Sequence, residues 1–380
     1  MALIRYVNAA SPAGGNGTTN TISAGDPNRA YSGLVSAHDS ERAINNDLAA
    51  LGGIQFNCEG TTEDVGNLAI TGWINASNTN YVNIRASSSG IHNFTKNSGY
   101  TFRSPATGAN AFDISTPYTR IGEEATISKG IQITLDSTTS SAEAVRFHLE
   151  DADLQIAMLL GCDIRCLQNI SGQDGTYTEP DTAGNKNFSI FLINCQITGF
   201  NRSGTMVQNY GGQNLIETTV AHCTMYGNGI DVSGTNSSAG ATTNFISYNN
   251  ICASPVGFNS LDDPINLVDS WTGNNNITID GSFNKDSMTA GAQATNGITT
   301  TTQSTGSWIV VNDLTSNDYD LKLLDEEAGN LPVAFGQLRY SYDGLGTIRS
   351  ATPDNGFFEF PEEEETKIPV FMNNYQRRRA

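Results

Sequence analysis

Between residues 26 and 53 apolar side chains fall at Tyr31, Leu34, Val35, Ala43, Ile44, Leu48 and Leu51. That spacing is closer to the helical period than to strand alternation and predicts a helix over 27–51. Asp26-Pro27 reads as its cap and first turn, Gly52-Gly53 as its stop, and a break is expected near Asp39-Ser40. After it the pattern changes to short apolar runs, "GIQF", "LAITGW", "YVNIRA", "YTRIGEEATI" and "VRFHLEDADL", each followed by Gly, Ser, Asn or Thr. These read as strands separated by turns.

Some of the runs repeat. The segments "LGCDI", "INCQI", "AHCTM", "YNNI" and "NNNI" align so that Cys162, Cys195, Cys223, Asn249 and Asn275 share a column, at steps of 33, 28, 26 and 26 residues. Two places further on stand Ile164, Ile197, Met225, Ile251 and Ile277, all apolar. A strand recurring at this interval, between polar turns of varying length, predicts a coil whose rungs stack about 4.8 Å apart and bury columns of like residues. The inserted stretches at 171–187, 231–244 and 285–307 are then loops on the outside.

Composition fits this picture. Of 380 residues only 16% are charged, and 38 are glycine, so Asn, Ser, Thr and Gly must cover much of the surface. A net charge of −19 argues against nucleic acid and anionic membranes as partners. The start, "MALIRYVNAASPAGGNG", lacks a basic segment followed by an apolar run, so no secretory signal is expected, and no stretch has the length of a membrane span. The six cysteines contain no CxxC pair and read as thiols.

At this point the chain resembles the right-handed parallel β-helix, or pectate-lyase-like, superfamily. The carriers are the entry "RYVNAASPAGGNGTT", the Ala-rich "RAYSGLVSAHDSERAINNDLAALGG" with "IQF" after it, and the closing series "DYDLKL", "LPVAFG", "DGLGTIR" and "DNGFFEF". The resemblance implies an all-β solenoid with an N-terminal capping helix and a C-terminal closing module. It divides the chain into 1–55 for strand and capping helix, 56–316 for the coils, 317–360 for the closing module and 361–380 for an extended tail. The caps have a physical role, since an open solenoid exposes strand edges and an apolar terminal rung. Trp308, Phe335, Phe357, Phe358 and Phe360 supply the apolar mass of the closing module.

Three groups of residues invite a chemical reading. Stacked cysteines point the same way and make a core ladder rather than a tetrahedral metal cage, so no metal or other cofactor is expected. The acidic tract with His148, Glu150, Asp151, Asp153, Asp163 and Arg165 is similar to the acid-plus-Arg sets of β-helix lyases, but alternating charges on the solvent side of a strand give the same pattern. The pairs Glu123-Glu124 and Asp262-Asp263 lack the NTD, GHG and RIK companions of the polygalacturonase type. No catalytic residue is therefore assigned. His222, beside Cys223, is expected to pack or reach solvent between coils.

Similarity to the closing module of bacterial and phage β-helix proteins, together with the expected lack of a secretory signal and the acidic polar surface, implies a structural protein of a bacteriophage particle: capsid decoration or cement, head fibre or short spike, made in the host cytoplasm. The alternatives are a polysaccharide lyase or glycoside hydrolase, and a glycan-binding adhesin. The tail carries an apolar stretch, Ile368, Val370, Phe371 and Met372, ahead of Arg377, Arg378 and Arg379. An arm that cannot bury these residues on itself is expected to dock on other virion proteins, capsid or tail, or on sister subunits, as in a homotrimer. Host-surface glycan is the remaining partner class.

Overall fold

The apolar columns inferred from the repeats are the interior of the molecule. In a computed structural model Phe56, Ile84, Ile121, Leu159, Leu192 and Val220 stand in register on successive rungs. All six are wholly buried. A second column, Phe102, Ile133, Ile164, Ile197 and Met225, faces the same interior, also wholly buried. The structure describes residues 1–278 apart from 109, 124–128, 149–153, 181–186, 210–214, 237–241, 249, 253–257, 261–269 and 275–276. The closing module and the tail arm lie outside the described residues.

Each coil contributes one strand to each of three parallel sheets, visited in a fixed order. The first sheet has nine described strands and begins with Leu3–Asn8, Ile54–Glu59, Val82–Ala86 and Thr119–Ile121. It continues through Leu154–Leu160, Asn187–Ile193 and Leu215–Ala221. The second sheet runs from Asp64–Val65 through Thr101–Arg103, Gln132–Leu135, Asp163–Cys166, Gln196–Thr198 and Thr224–Tyr226. The third runs from Leu68–Ile70 through Phe112–Ile114, Glu143–Phe147, Asp174–Thr178, Ser203–Asn209 and Ile230–Asn236, so the stretches 171–187 and 231–244, expected as outer loops, instead supply strands of this sheet. Every pairing between these strands is parallel, as a coil that always returns in the same sense requires, and the chain is a parallel β-solenoid.

The chain leaves the first sheet for the second through a left-handed backbone corner, filled in successive coils by Gly161, Asn194 and His222 at φ of 64°, 53° and 52°. Gly, Asn and His are among the residues that tolerate this conformation best. The ring of His222 is fully buried, so it packs inside and does not reach solvent between coils.

The N-terminal cap is shorter than the periodicity predicts. One helix spans Leu34–Ile44 and a second Leu48–Leu51, and the break falls at Asn45–Asp47, not near Asp39-Ser40. The reason is local side-chain competition: Asn45 accepts from the Asp47 amide, and Asp47 accepts from Ala49 and Ala50 and so caps a new helix. Residues 26–33 are not helical, because Tyr31 is bridged to Val7 of the first strand. Gly52 ends the second helix in the left-handed conformation, φ 67°, as expected. Leu34, Ala37 and Leu48 are buried against the first coil. The longer helix is capped from outside its own segment: the Leu34 amide donates to Asp64 Oδ2 at 2.6 Å, and the Tyr100 hydroxyl donates to the same oxygen. Glu41, also buried, accepts from Arg5 and from the Tyr31 hydroxyl.

Candidate functional site

The cysteine column forms as a stack on the approach to the second sheet. Register places Cys162, Cys195 and Cys223 on successive rungs, all without exposure. Each thiol donates to carbonyls: Cys195 to Ile193 at 3.3 Å and Leu159 at 3.4 Å, Cys223 to Leu192 at 3.3 Å and Ala221 at 3.4 Å. Burial pushes Cys162 and Cys223 well above the ordinary thiol range. The next rung departs from the expected alignment. Thr224 pairs with Ile251, so Asn250 rather than Asn249 stands over Cys223, and its Oδ1 accepts from the Cys223 amide at 2.8 Å. Asn249 and Asn275 lie outside the described residues.

Of the acidic tract, Asp163 and Arg165 come together, and neither faces solvent: they are 0% and 2% exposed. This corrects the expectation of a charged solvent side. Arg165 Nε donates to both Asp163 oxygens at 2.9 and 2.8 Å, and its Nη2 donates to the Phe94 carbonyl. Gln132, one rung below, donates Nε2 to Asp163 Oδ2 and to the Thr95 carbonyl, both at 2.7 Å. His92 closes the same side. Burial, then the Arg165 charge, lowers its pKa to about 3, so the neutral ring donates Nε2–H to the Gly161 carbonyl at 3.2 Å and accepts the Phe94 amide at Nδ1. The segment 92–95 is thereby fastened over the ion pair. Glu150, Asp151 and Asp153 lie outside the described residues, as do Glu124 and Asp262-Asp263. His148 joins the third sheet through its backbone, donating to Ile114. Glu123 is bonded to Arg85 and to Lys129.

A different set of titratable groups gathers on the third sheet, where no motif marks it in the sequence. Glu143 and Asp174 occupy one register position on neighbouring rungs, with Ser203 next. Asp174, wholly buried, accepts from Arg202 Nε at 2.9 Å on both oxygens and from Nη2. The Arg202 guanidinium lies 5.5 Å from the centre of the Tyr177 ring, and Arg146 pairs with Glu179 at 3.0 Å. Glu143 is 7% exposed, and among the described residues its carboxylate accepts no hydrogen bond. Burial, then the Asp174 charge, raises it from 4.5 to about 7, and burial raises Asp174 from 3.8 to about 6 despite Arg202. A carboxyl that is half protonated near neutral pH beside a second one is a recurring acid–base arrangement. Its only trace in the sequence is the 31-residue interval from Glu143 to Asp174, which becomes meaningful once the coils are aligned.

Among the described residues no group of three or more His, Cys, Asp or Glu is placed to hold a metal ion, and no helix is long and apolar enough to cross a membrane. No family model matches the sequence, and no curated protein matches it. A search of solved structures finds similarity to the crystal structure of pectate lyase Pel9A, at 12% identity and a TM-score of 0.44, covering 94% of this chain and 96% of that one. The fold assignment stands on the strand pairing itself.

Proposed function

We propose that the chain is a structural protein of a bacteriophage particle, a rigid rod displayed on the capsid or tail. The observation that carries this reading is the fate of Asp163 and Arg165. Of the acidic set that invited a lyase reading, Asp163 and Arg165 are buried against each other and bonded into the wall, where they fasten one segment of the coil to the next. Interior columns that run through successive coils, an end covered by a helix locked through Asp64 and Glu41, and a strongly acidic surface suit a stiff, well-solvated display element. The phage assignment draws on the similarity of the closing segments to those of bacterial and phage β-helix proteins, and the apolar and arginine-bearing arm at 361–380 is its attachment point to the capsid, the tail or sister subunits.

Mass spectrometry of purified particles from the virus that encodes the chain tests the role: the protein is expected at a fixed ratio to the major capsid protein. A chain lacking residues 361–380 is expected to fold and to be missing from particles. Its normal incorporation would remove the arm from the proposal, and absence of the full chain from particles would remove the role.

One observation favours a second reading, a carbohydrate-active enzyme. Glu143, without a hydrogen-bond donor among the described residues and half protonated near pH 7, is suited to deliver a proton to a glycosidic oxygen. New reducing ends released from a polysaccharide panel by the wild-type chain, and not by Glu143→Gln, would establish it.

A further inference from the structure

His38 lies on the inner face of the Leu34–Ile44 helix, fully buried, and Trp73 of the first coil is buried against it. The two rings meet edge to face, their centres 5.7 Å apart. Trp73 donates its Nε1–H to His38 Nε2 at 2.9 Å. An indole N–H only donates, so Nε2 carries a lone pair, and the proton of the ring belongs on Nδ1, 3.0 Å from Asp39 Oδ1. One protonation state fits this arrangement: the neutral ring with its hydrogen on Nδ1.

Two features separate this contact from an ordinary buried histidine. The first is its position, at the segment where the cap is fastened down. Arg42 donates to the Thr71 carbonyl at 3.2 Å, Asn46 to the Gly72 carbonyl at 3.0 Å, and the Leu48 amide to the Ile74 carbonyl at 3.0 Å. Of the side-chain bonds in this set, the one between the rings is the fully buried one. The second is its electrostatics. The charged groups acting on the ring are Asp39 and Arg42, both on its own helix and 3.6 Å from each other. The segment 71–74 and the strand Leu68–Ile70 bring no titratable side chain. Leu3–Asn8 brings Arg5, which is held by Glu41; Ile54–Glu59 brings Cys58 and Glu59; Asp64 is occupied at the Leu34 amide. None of these acts on the ring. Burial, opposed by Asp39, holds His38 below the ordinary histidine range, and Asp39, 56% exposed, links the ring to solvent.

We propose that this contact is an acid-released latch: a proton taken up at His38 Nε2 sets two N–H groups against each other, and the cap at 34–51 lets go of the first coil. A doubly protonated ring has no lone pair left to accept the indole hydrogen, and it would carry its charge in a site without exposure. The direction follows from linkage. The folded ring resists a proton that the unfolded ring takes up near 6.5, so stability is full above that pH and declines as the pH falls below it. The patch around Glu143 runs the other way, so the readout is taken at the cap itself. Release uncovers Leu34, Ala37 and Leu48 together with the apolar end of the solenoid. The proposal goes beyond the structural role above and is independent of it, since the latch would act alike in a display rod and in an enzyme.

The test is amide hydrogen exchange on the full chain at pH 7.5 and pH 5.5, corrected for the intrinsic pH dependence of exchange. At the lower pH, one unit below the ordinary 6.5, protection of amides at 34–51 is expected to fall by about threefold to tenfold relative to amides in Leu154–Leu160 and Asn187–Ile193. His38→Gln, whose amide oxygen accepts the Trp73 hydrogen and does not titrate, is expected to fold and to lack that loss. The proposal is overturned if the wild-type cap keeps its relative protection at pH 5.5, or if His38→Gln loses it as the wild type does. Should His38→Gln fail to fold, NMR of the wild-type His38 ring decides. A ring that gains its second proton while the cap amides stay protected overturns the latch, and protonation that accompanies their exposure upholds it.

Discussion

One coil carries two carboxylates paired with arginine, Asp163 with Arg165 of its own coil and Asp174 with Arg202 of the next, and the solenoid treats them differently. On the second sheet Asp163 meets Arg165, Gln132 and, through Arg165, the Phe94 carbonyl; the group is closed over and bonded on several sides. On the third sheet Asp174 has Arg202, but its neighbour Glu143 is nearly as buried and has no donor among the described residues. The lesson is that burial alone does not tell a structural charge from a chemical one. A buried ion held by several donors keeps its charge and fixes geometry, whereas a buried carboxyl without donors gives up its charge near neutral pH and becomes able to exchange a proton.

The largest expected effect breaks the closed group. Arg165→Met leaves the Asp163 carboxylate buried without its counter-ion and is expected to cost roughly 3–5 kcal/mol, read as a lowered midpoint of denaturant unfolding. The pair replacement Asp163→Leu with Arg165→Met is expected to regain most of that loss, because no lone charge remains. A double variant as unstable as the single one would contradict the account.

The next effect sharpens the open group through pH. Glu143 and Asp174 have folded pKa values of about 7 and about 6, above their ordinary 4.5 and 3.8. Between these limits the folded chain holds protons that the unfolded chain has released, so this patch loses stability as pH rises from about 4 to 7. For Glu143 the loss is on the order of 3 kcal/mol at most. Glu143→Gln is expected to be more stable than wild type at pH 8 and close to it at pH 4. Melting curves at both values check this, and an equal difference at the two would show that Glu143 titrates normally. The smallest effect lies at the rim of the same patch. Arg146 and Glu179 are 28% and 25% exposed, and Glu179→Gln is expected to change stability by less than about 1 kcal/mol.

How much of this could be read from the residues alone depends on the distance over which each cause acts. The coil was legible because Ile164, Ile197 and Met225 repeat one environment, and identical environments select similar side chains. The step to Asn250 was not, because "YNNI" offers two adjacent asparagines and only the pairing of Thr224 with Ile251 chooses between them. The helix was legible as a helix, but its start was not: Tyr31 fits the helical period and is instead recruited by Val7, which lies 24 residues earlier. Glu143 was invisible because its environment is built from Asp174 and Arg202, each supplied by a different coil. Asp163 and Arg165 were singled out, yet their burial comes from the 92–95 segment some seventy residues away.

The anchoring of the Leu34–Ile44 helix by Asp64 and Tyr100 has a consequence for biosynthesis. The helix leaves the ribosome well before either residue that secures its first turn, and Tyr100 belongs to a later coil than Asp64. The first turn of the lid therefore gains its cap from residues made after it: Asp64 arrives with the first winding, and the Tyr100 hydroxyl that holds Asp64 arrives partway through the second.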